Sequence, residues 1–295
     1  RFRSAGPLSS TRRPESWRSI LAPLRFRPER ADAMERRVRI DLAYDGTAYS
    51  GWQVQPGVKT VQGVLEEALG RLHGGRAMRV RGAGRTDSGA HARGQVADVW
   101  VATRSDDAGL LRALDHMLPG DIRPRRVLTV ADAFQAQHDA KFKTYRYLVD
   151  TTPHGDPWRG RYALPFPLAL DAKAVDAALV LLPGTRDWSG FTGSACTVDD
   201  RVRTISEARL TALRPGLMAF VFTADGFLTH MVRNLVGTLL AVGRGTFGPE
   251  RITEVLATSD RRRAGPTAPA HGLCLERVVY DESLGGASGD LLLSW

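Results

Sequence analysis

Between Gly82 and Gln95 the sequence reads G-A-G-R-T-D-S-G-A-H-A-R-G-Q, which gathers a carboxylate, a hydroxyl, an imidazole and two guanidinium groups into one glycine-rich run. The glycines first suggest a phosphate cradle. A dinucleotide fingerprint G-x-G-x-x-G starting at Gly82 needs glycine where Asp87 stands. A P-loop starting at Gly84 finds its second glycine at Gly89, then Ala90-His91 in place of Lys and Ser/Thr. Asp87, Ser88 and His91 hold the residue types of a hydrolase triad, but packed so closely they can hardly form its chain of hydrogen bonds. What remains is Asp87 flanked by Arg85 and Arg93, on a loop whose glycines permit close approach of a bulky ligand. On these residues alone, a structural loop in which Asp87 caps a turn fits as well.

The loop lies between two expected strands, near Met78–Gly82 and Gln95–Ala102. Upstream, V-R-I-D-L-A-Y at Val38–Tyr44 alternates apolar and polar residues, the period of a half-buried strand. Thr60 is placed to cap a helix carrying Val61, Val64, Leu65, Ala68, Leu69 and Leu72 at helical spacing. A helix near Asp106–Leu118 and strands near Arg126–Val130 and Phe142–Asp150 follow. The second half repeats the mixture. It has a helix at Asp171–Leu182, strands at Thr204–Leu213 and Leu217–Thr223 turning at Pro215-Gly216, helices at Phe227–Val242 and Pro249–Thr258, and a strand at Gly272–Tyr280.

In the Phe227–Val242 helix, Leu228, Met231, Val232, Leu235 and Leu239 share one face. His230, Arg233, Asn234 and Gly237 form the opposite stripe, expected to be open to a cleft. On the strand Phe142–Asp150, Lys143, Tyr145 and Tyr147 share a face. The expected fold class is α+β, with two α/β halves of mixed, largely antiparallel sheet backed by helices. The turn-rich segment T-T-P-H-G-D-P marks the join, giving halves 34–150 and 151–295.

The chain has 295 residues and a formal charge of +9, which favours polyanionic partners. Residues 1–33 hold eight arginines against three acidic residues, with four prolines, and are expected to be a disordered Arg-rich extension. About half of the basic excess thus belongs to a tail. Cys196 and Cys274 stand apart, without the neighbours of a zinc site or a disulfide scaffold, which fits a cytoplasmic protein. No apolar run approaches the roughly 20 residues needed to span a bilayer, so no membrane partner is expected.

The run G-R-T-D-S-G-A-H-A-R-G-Q-V resembles the catalytic loop of the tRNA pseudouridine synthase A family. Other segments agree in order. They are Tyr44-Asp45-Gly46-Thr47 with Gly51-Trp52-Gln53, Thr60-Val61-Gln62, Lys143-Thr144-Tyr145-Arg146-Tyr147, Gly226-Phe227-Leu228 through Gly237, and Ala268-Pro269-Ala270 with Gly272-Leu273. The resemblance runs from about Met34 to Tyr280. It implies the pseudouridine synthase fold, with two ferredoxin-like or RRM-like halves around a central basic cleft. It implies isomerisation of uridine in the anticodon stem-loop of tRNA by a homodimer, with no metal and no other cofactor.

The resemblance also assigns roles. Asp87 is the catalytic nucleophile, Arg233 its cationic partner, Tyr145 the ring that stacks on the flipped base, and Arg85 the arginine that helps displace and hold the target nucleotide. A nucleophilic carboxylate in a site that excludes water needs such a cation to oppose desolvation. Arg93, Lys141, Lys143 and Arg146 are expected to contact phosphates. His91 is expected to fix the loop backbone rather than to do chemistry. The rival readings are a non-catalytic RNA-binding protein of the same fold and a pseudouridine synthase acting at other RNA sites. An RNA deaminase is disfavoured, because its zinc-binding H-x-E and P-C-x-x-C signatures are absent.

Overall fold

A computed structural model describes residues 35–289, so the expectation for residues 1–33 lies outside the described residues. The chain opens with β1 (Glu35–Tyr44), a 3-10 turn at Gly46–Ala48 and α1 (Val61–Leu72). Next come β2 (Arg81–Gly82), β3 (His91–Ala102), α2 (Asp107–Met117), β4 (Ile122–Thr129) and β5 (Phe142–Asp150). The short β6 (Leu164–Pro165) leads to α3 (Ala172–Leu179), β7 (Gly184–Asp187), β8 (Val202–Arg214) and β9 (Leu217–Ala224). The described chain closes with α4 (Met231–Gly243), α5 (Arg251–Thr258) and β10 (Leu273–Val279).

The strands form one sheet in the order β4-β1-β3-β10-β5-β9-β8-β7, with β2 paired to β3 and β6 to β5. The pairing is antiparallel except for β10 with β3 and β5 with β6. The fold is thus mixed α+β on a largely antiparallel sheet. Strand β10 is the seam: it pairs with β3 on one side and β5 on the other, so the sheet runs without a break through both parts of the chain. Residue Pro124 sits in β4, an edge strand, where its missing amide hydrogen is tolerated.

On β1, Val38, Ile40 and Leu42 are fully buried in the same apolar cluster as Val61, Leu65 and Leu69 of α1. Each such side chain contributes roughly 1.5–3 kcal/mol. The Thr60 side chain accepts from the Gly63 amide, as expected of the cap. The alternate β1 residues Arg37, Arg39 and Asp41 are also buried, which the polar half of the pattern does not predict. They are neutralised in pairs: Arg39 with Asp41 at 2.7 Å, Arg126 with Asp41 at 2.7 Å, and Arg37 with Asp98 at 2.6 Å. The backbone carbonyl of Leu284 takes a further hydrogen bond from Arg39 at 2.7 Å.

Candidate active site

The loop between β2 and β3 is held from three directions. Its Thr86 carbonyl accepts from the Trp52 amide at 3.1 Å, and the Thr86 hydroxyl lies 2.8 Å from that of Tyr44 at the end of β1. The Gln95 side chain donates to the Gly84 carbonyl at 2.8 Å and to the Tyr44 hydroxyl at 3.3 Å. Gly82 is obligatory because the Trp52 indole lies where a Cβ would go, 2.5 Å from its built position. Gly89 turns the chain at φ +79°, where an L side chain is strained. The Ala90 amide then donates to the Asp87 carbonyl at 3.0 Å.

His91 lies at the base of the loop. Its Nδ1 accepts from the Gly46 amide at 3.1 Å, which leaves Nε2 to carry the proton toward the His271 carbonyl, also at 3.1 Å. Burial pulls its pKa down despite the nearby Asp45 carboxylate, 3.2 Å from Nδ1. The imidazole is thus a neutral brace between two loops. Ser88 donates to the Tyr49 carbonyl at 3.3 Å, so neither residue joins Asp87 in a triad.

With the loop braced, the Asp87 carboxylate stands partly open, its side chain 24% exposed. Arg233 of α4 reaches it from the other part of the chain. Its Nη1 donates to Asp87 Oδ2 at 2.7 Å, while its Nε donates to the Ala268 carbonyl at 2.7 Å. The guanidinium is thereby clamped between a carboxylate and a carbonyl. The Ala268 amide returns a bond to the Arg233 carbonyl at 3.1 Å, and the Tyr147 hydroxyl donates to the Pro269 carbonyl at 2.8 Å. Segment 268–270 is therefore the splint that aims Arg233.

Tyr145 on β5 is buried, and its hydroxyl lies 3.7 Å from where a Cβ on Gly84 would project, beneath the loop. Phe227 meets its ring edge to face, 5.1 Å between centroids at 85°. Burial, reinforced by Tyr44 and Asp87, pushes the Tyr145 phenol far above its ordinary range, so it stays protonated. Arg85 is exposed, with no ion pair or side-chain hydrogen bond among the described residues. His230 also enters the site: its Nε2 is 3.7 Å from Asp87 Oδ2.

Two expectations need correction. Helix α4 begins at Met231, because His230 takes φ 60°, so Phe227–His230 is a non-helical approach. The stripe expected to be open is largely closed. Asn234 is fully buried, donating to the Phe191 carbonyl at 2.7 Å, and Gly237 lies so close to Pro266 that a Cβ would meet its carbonyl oxygen at 1.7 Å. Of that stripe, Arg233 and His230 reach Asp87.

The phosphate-contact candidates also divide. Arg146 is 2% exposed and paired with Glu276 at 2.8 Å on the covered side of β5, so it is not presented to a phosphate. Its alternation with Tyr145 sends it to the other face of the sheet. Arg93 is half-buried and interacts electrostatically with the same Glu276, whose pKa burial pushes up. Lys141 lies at the surface in an ion pair with Asp281. Lys143 is half-buried, and burial, reinforced by Arg203 and opposed by Asp225, lowers its pKa to about 8.

Phe227, Tyr147 and Ala268 stand in segments singled out from the sequence, but the ring contact of Phe227 with Tyr145 and the parts of Tyr147 and the Ala268 carbonyl in aiming Arg233 were missed. The A-P-A segment was legible as a motif, but a backbone acceptor leaves no mark in residue type. Among the described residues no cluster of three or more His, Cys, Asp or Glu has the arrangement of a metal site.

Comparison with known proteins gives a consistent result. The family model described as tRNA pseudouridine synthase matches residues 42–141 and 178–281, more than half of the chain. The tRNA pseudouridine synthase A of Geobacillus kaustophilus is 44% identical over 249 residues, covering 84% of this chain and 96% of that protein. The protein of the same name from Streptococcus mutans is 43% identical over 247 residues, covering 83% and 99%.

Proposed function

Because the chain belongs to the tRNA pseudouridine synthase family, a family of isomerases, we propose that Asp87 is the nucleophilic carboxylate that converts a tRNA uridine to pseudouridine. The observation that carries this reading is the contact between Asp87 Oδ2 and Arg233 Nη1 at 2.7 Å. A guanidinium held by two acceptors aims the carboxylate it pairs with and fixes its position in the half-covered site.

The reaction breaks the bond from the ribose C1′ to N1 of uracil, turns the base while it is held, and joins C1′ to C5. The proton on C5 is lost and N1 gains one, so atoms balance without an oxidant. Extraction of the uridine from a stacked arm costs a few kcal/mol. Arg85, exposed two residues before Asp87, is suited to enter the space the nucleotide leaves. The Tyr145 ring, covered by the loop and braced by Phe227, forms the floor against which the flipped base rests. Lys141 and Lys143 line the approach as phosphate contacts.

In this reading the two halves, 34–150 and 151–295, divide the labour. The first supplies Asp87, Arg85 and Tyr145; the second supplies Arg233 and its splint. The substrate region is the anticodon stem-loop, and the working form is a cytoplasmic homodimer. No helix among the described residues is long and apolar enough to cross a membrane.

The test is site-resolved pseudouridine mapping on defined tRNA transcripts treated with wild type and with Asp87→Asn. Wild type should modify uridines of the anticodon arm, and the variant should bind tRNA with near-normal affinity yet leave no pseudouridine. Modification by Asp87→Asn at the wild-type rate would refute the nucleophile. Modification confined to another arm would redirect the substrate and favour the reading as a synthase for other RNA sites.

A further inference from the structure

Away from the cleft, the exposed end of β3 carries a second arrangement of arginines around an aromatic ring. The ladder between β1 and β3 sets Arg37 opposite Trp100, and that between β2 and β3 sets Arg81 opposite Asp98. Arg79, two residues before β2, lines the same groove as Trp100. The guanidinium of Arg37 lies 5.7 Å from the centre of the indole, which is 40% exposed. An open groove of about 420 Å³ runs between Arg79, Arg81 and Trp100 over a floor of Arg37, Asp98 and Val99.

The charge of this groove is not balanced. Asp98 is 1% exposed and already satisfied by Arg37 at 2.6 Å, Arg81 at 2.8 Å and the Ala136 amide at 2.8 Å. Arg79 is exposed and has no ion pair or side-chain hydrogen bond among the described residues. Among the lining residues one carboxylate faces three guanidinium groups, with Asp139 acting on Asp98 from outside the lining, and the positive charge borders a half-open indole. That combination suits a nucleotide, with its base on the ring and its phosphates on the arginines. A protein partner would have to desolvate Arg79 and Arg81 against the same surface, for which acidic groups alone compensate.

We propose that this groove docks an unpaired nucleotide of the substrate tRNA, remote from the uridine that reacts. Trp100 carries the base, and Arg79 and Arg81 hold the flanking phosphates. From His91 to Trp100 β3 rises about 30 Å at roughly 3.3 Å per residue, so only an RNA that extends well beyond the reacting uridine engages both the loop and the groove. The groove therefore serves to select whole tRNA. This inference rests on tRNA being the substrate and is independent of the role given to Asp87.

The test compares full-length tRNA with a stem-loop carrying only the target arm, using wild type, Trp100→Ala, Trp100→Phe and Arg79→Glu. With full-length tRNA, Trp100→Ala and Arg79→Glu should raise KM by about tenfold with kcat unchanged, while Trp100→Phe, which keeps a stacking face, stays near wild type. With the stem-loop, all four proteins should agree. Arg79→Glu should also flatten the salt dependence of tRNA binding by about one phosphate contact.

Unchanged KM on full-length tRNA, or an equal rise on both substrates, would overturn the proposal. The fluorescence difference between wild type and Trp100→Phe should respond to tRNA but not to UMP. Saturation by UMP alone would make this a free-nucleotide site and overturn it. So would a change of oligomeric state in any of the three substituted proteins, which would make the groove a protein contact. Failure of Asp87→Asn to lose turnover bears on the catalytic reading and leaves this one standing.

Discussion

Arg233→Ala is the perturbation that most directly probes the site. The substitution removes the 2.7 Å contact to Asp87 and the 2.7 Å contact to the Ala268 carbonyl together. Truncating one member of a hydrogen-bonded, desolvated charge pair costs about 2–5 kcal/mol. Here Asp87 is 24% and Arg233 16% exposed, so solvent screening places the loss at the lower end, about 2–3 kcal/mol. If that loss falls on the transition state, the single-turnover rate drops by about 30- to 150-fold. Arg233→Lys keeps the charge, but one ammonium cannot reproduce the planar fork that reaches both acceptors, and a loss of about tenfold is expected. The assay is release of the C5 proton label from tRNA under single-turnover conditions, with tRNA affinity measured separately. In an Asp87→Asn background Arg233→Ala should destabilise folding less than in wild type, because the stranded negative charge is gone. A rate for Arg233→Ala within threefold of wild type, or a loss accounted for wholly by weaker tRNA binding, would refute the assigned pairing.

Further outcomes follow from the same geometry. Tyr145→Phe should keep most activity, since it preserves the ring against Phe227, whereas Tyr145→Ala should lose at least tenfold in kcat/KM; equal activity of Ala and wild type would reject the stacking role. Gly237→Ala drives a methyl group to within 1.7 Å of the Pro266 carbonyl oxygen, so thermal unfolding should show a loss above about 3 kcal/mol and displacement of Arg233. His91 has a folded-state pKa below its unfolded value, so its contribution to stability is complete above about pH 6.5 and is lost as pH falls below it, where the unfolded chain takes up the proton first. The Tm should therefore fall between pH 7 and pH 5.5, and His91→Asn should lessen that slope. Binding of tRNA should weaken steeply between low and moderate salt, and a flat dependence would count against phosphate contacts.

Much of the chain's organisation follows from local pattern. The alternation in β1, the Thr60 cap and helical spacing of α1, and the Pro215-Gly216 turn between β8 and β9 are decided by residues close in sequence, so they are legible there. The loop carrying Asp87 stood out because its residue types lie in one short run, but those residues alone fitted a structural turn as well, and its resemblance to a family's catalytic loop was what singled it out. Periodicity was less reliable where tertiary cover intervened. The apolar stripe of α4 was correct in kind, but segment 264–270 covers the opposite face, which turns Asn234 and Gly237 into packing residues. Likewise Arg146 has the type of a phosphate contact but points by alternation to the face where Glu276 awaits it.

By itself, then, the sequence determined the glycine-hinged loop that carries Asp87 and the short-range elements that flank it, and its resemblance to a known family nominated that carboxylate. The resemblance nominated Arg233 as its partner, but only the tertiary structure decided how that guanidinium is brought to it and held. Arg233 stands 146 residues from Asp87 and is aimed by the carbonyl of Ala268, while β10 inserts between β3 and β5 to bring both parts of the chain into one sheet. Backbone acceptors carry no side-chain signature, and a parallel pairing between distant strands has no local period. Such features arise only when the chain has closed its long loops and buried the surfaces between them.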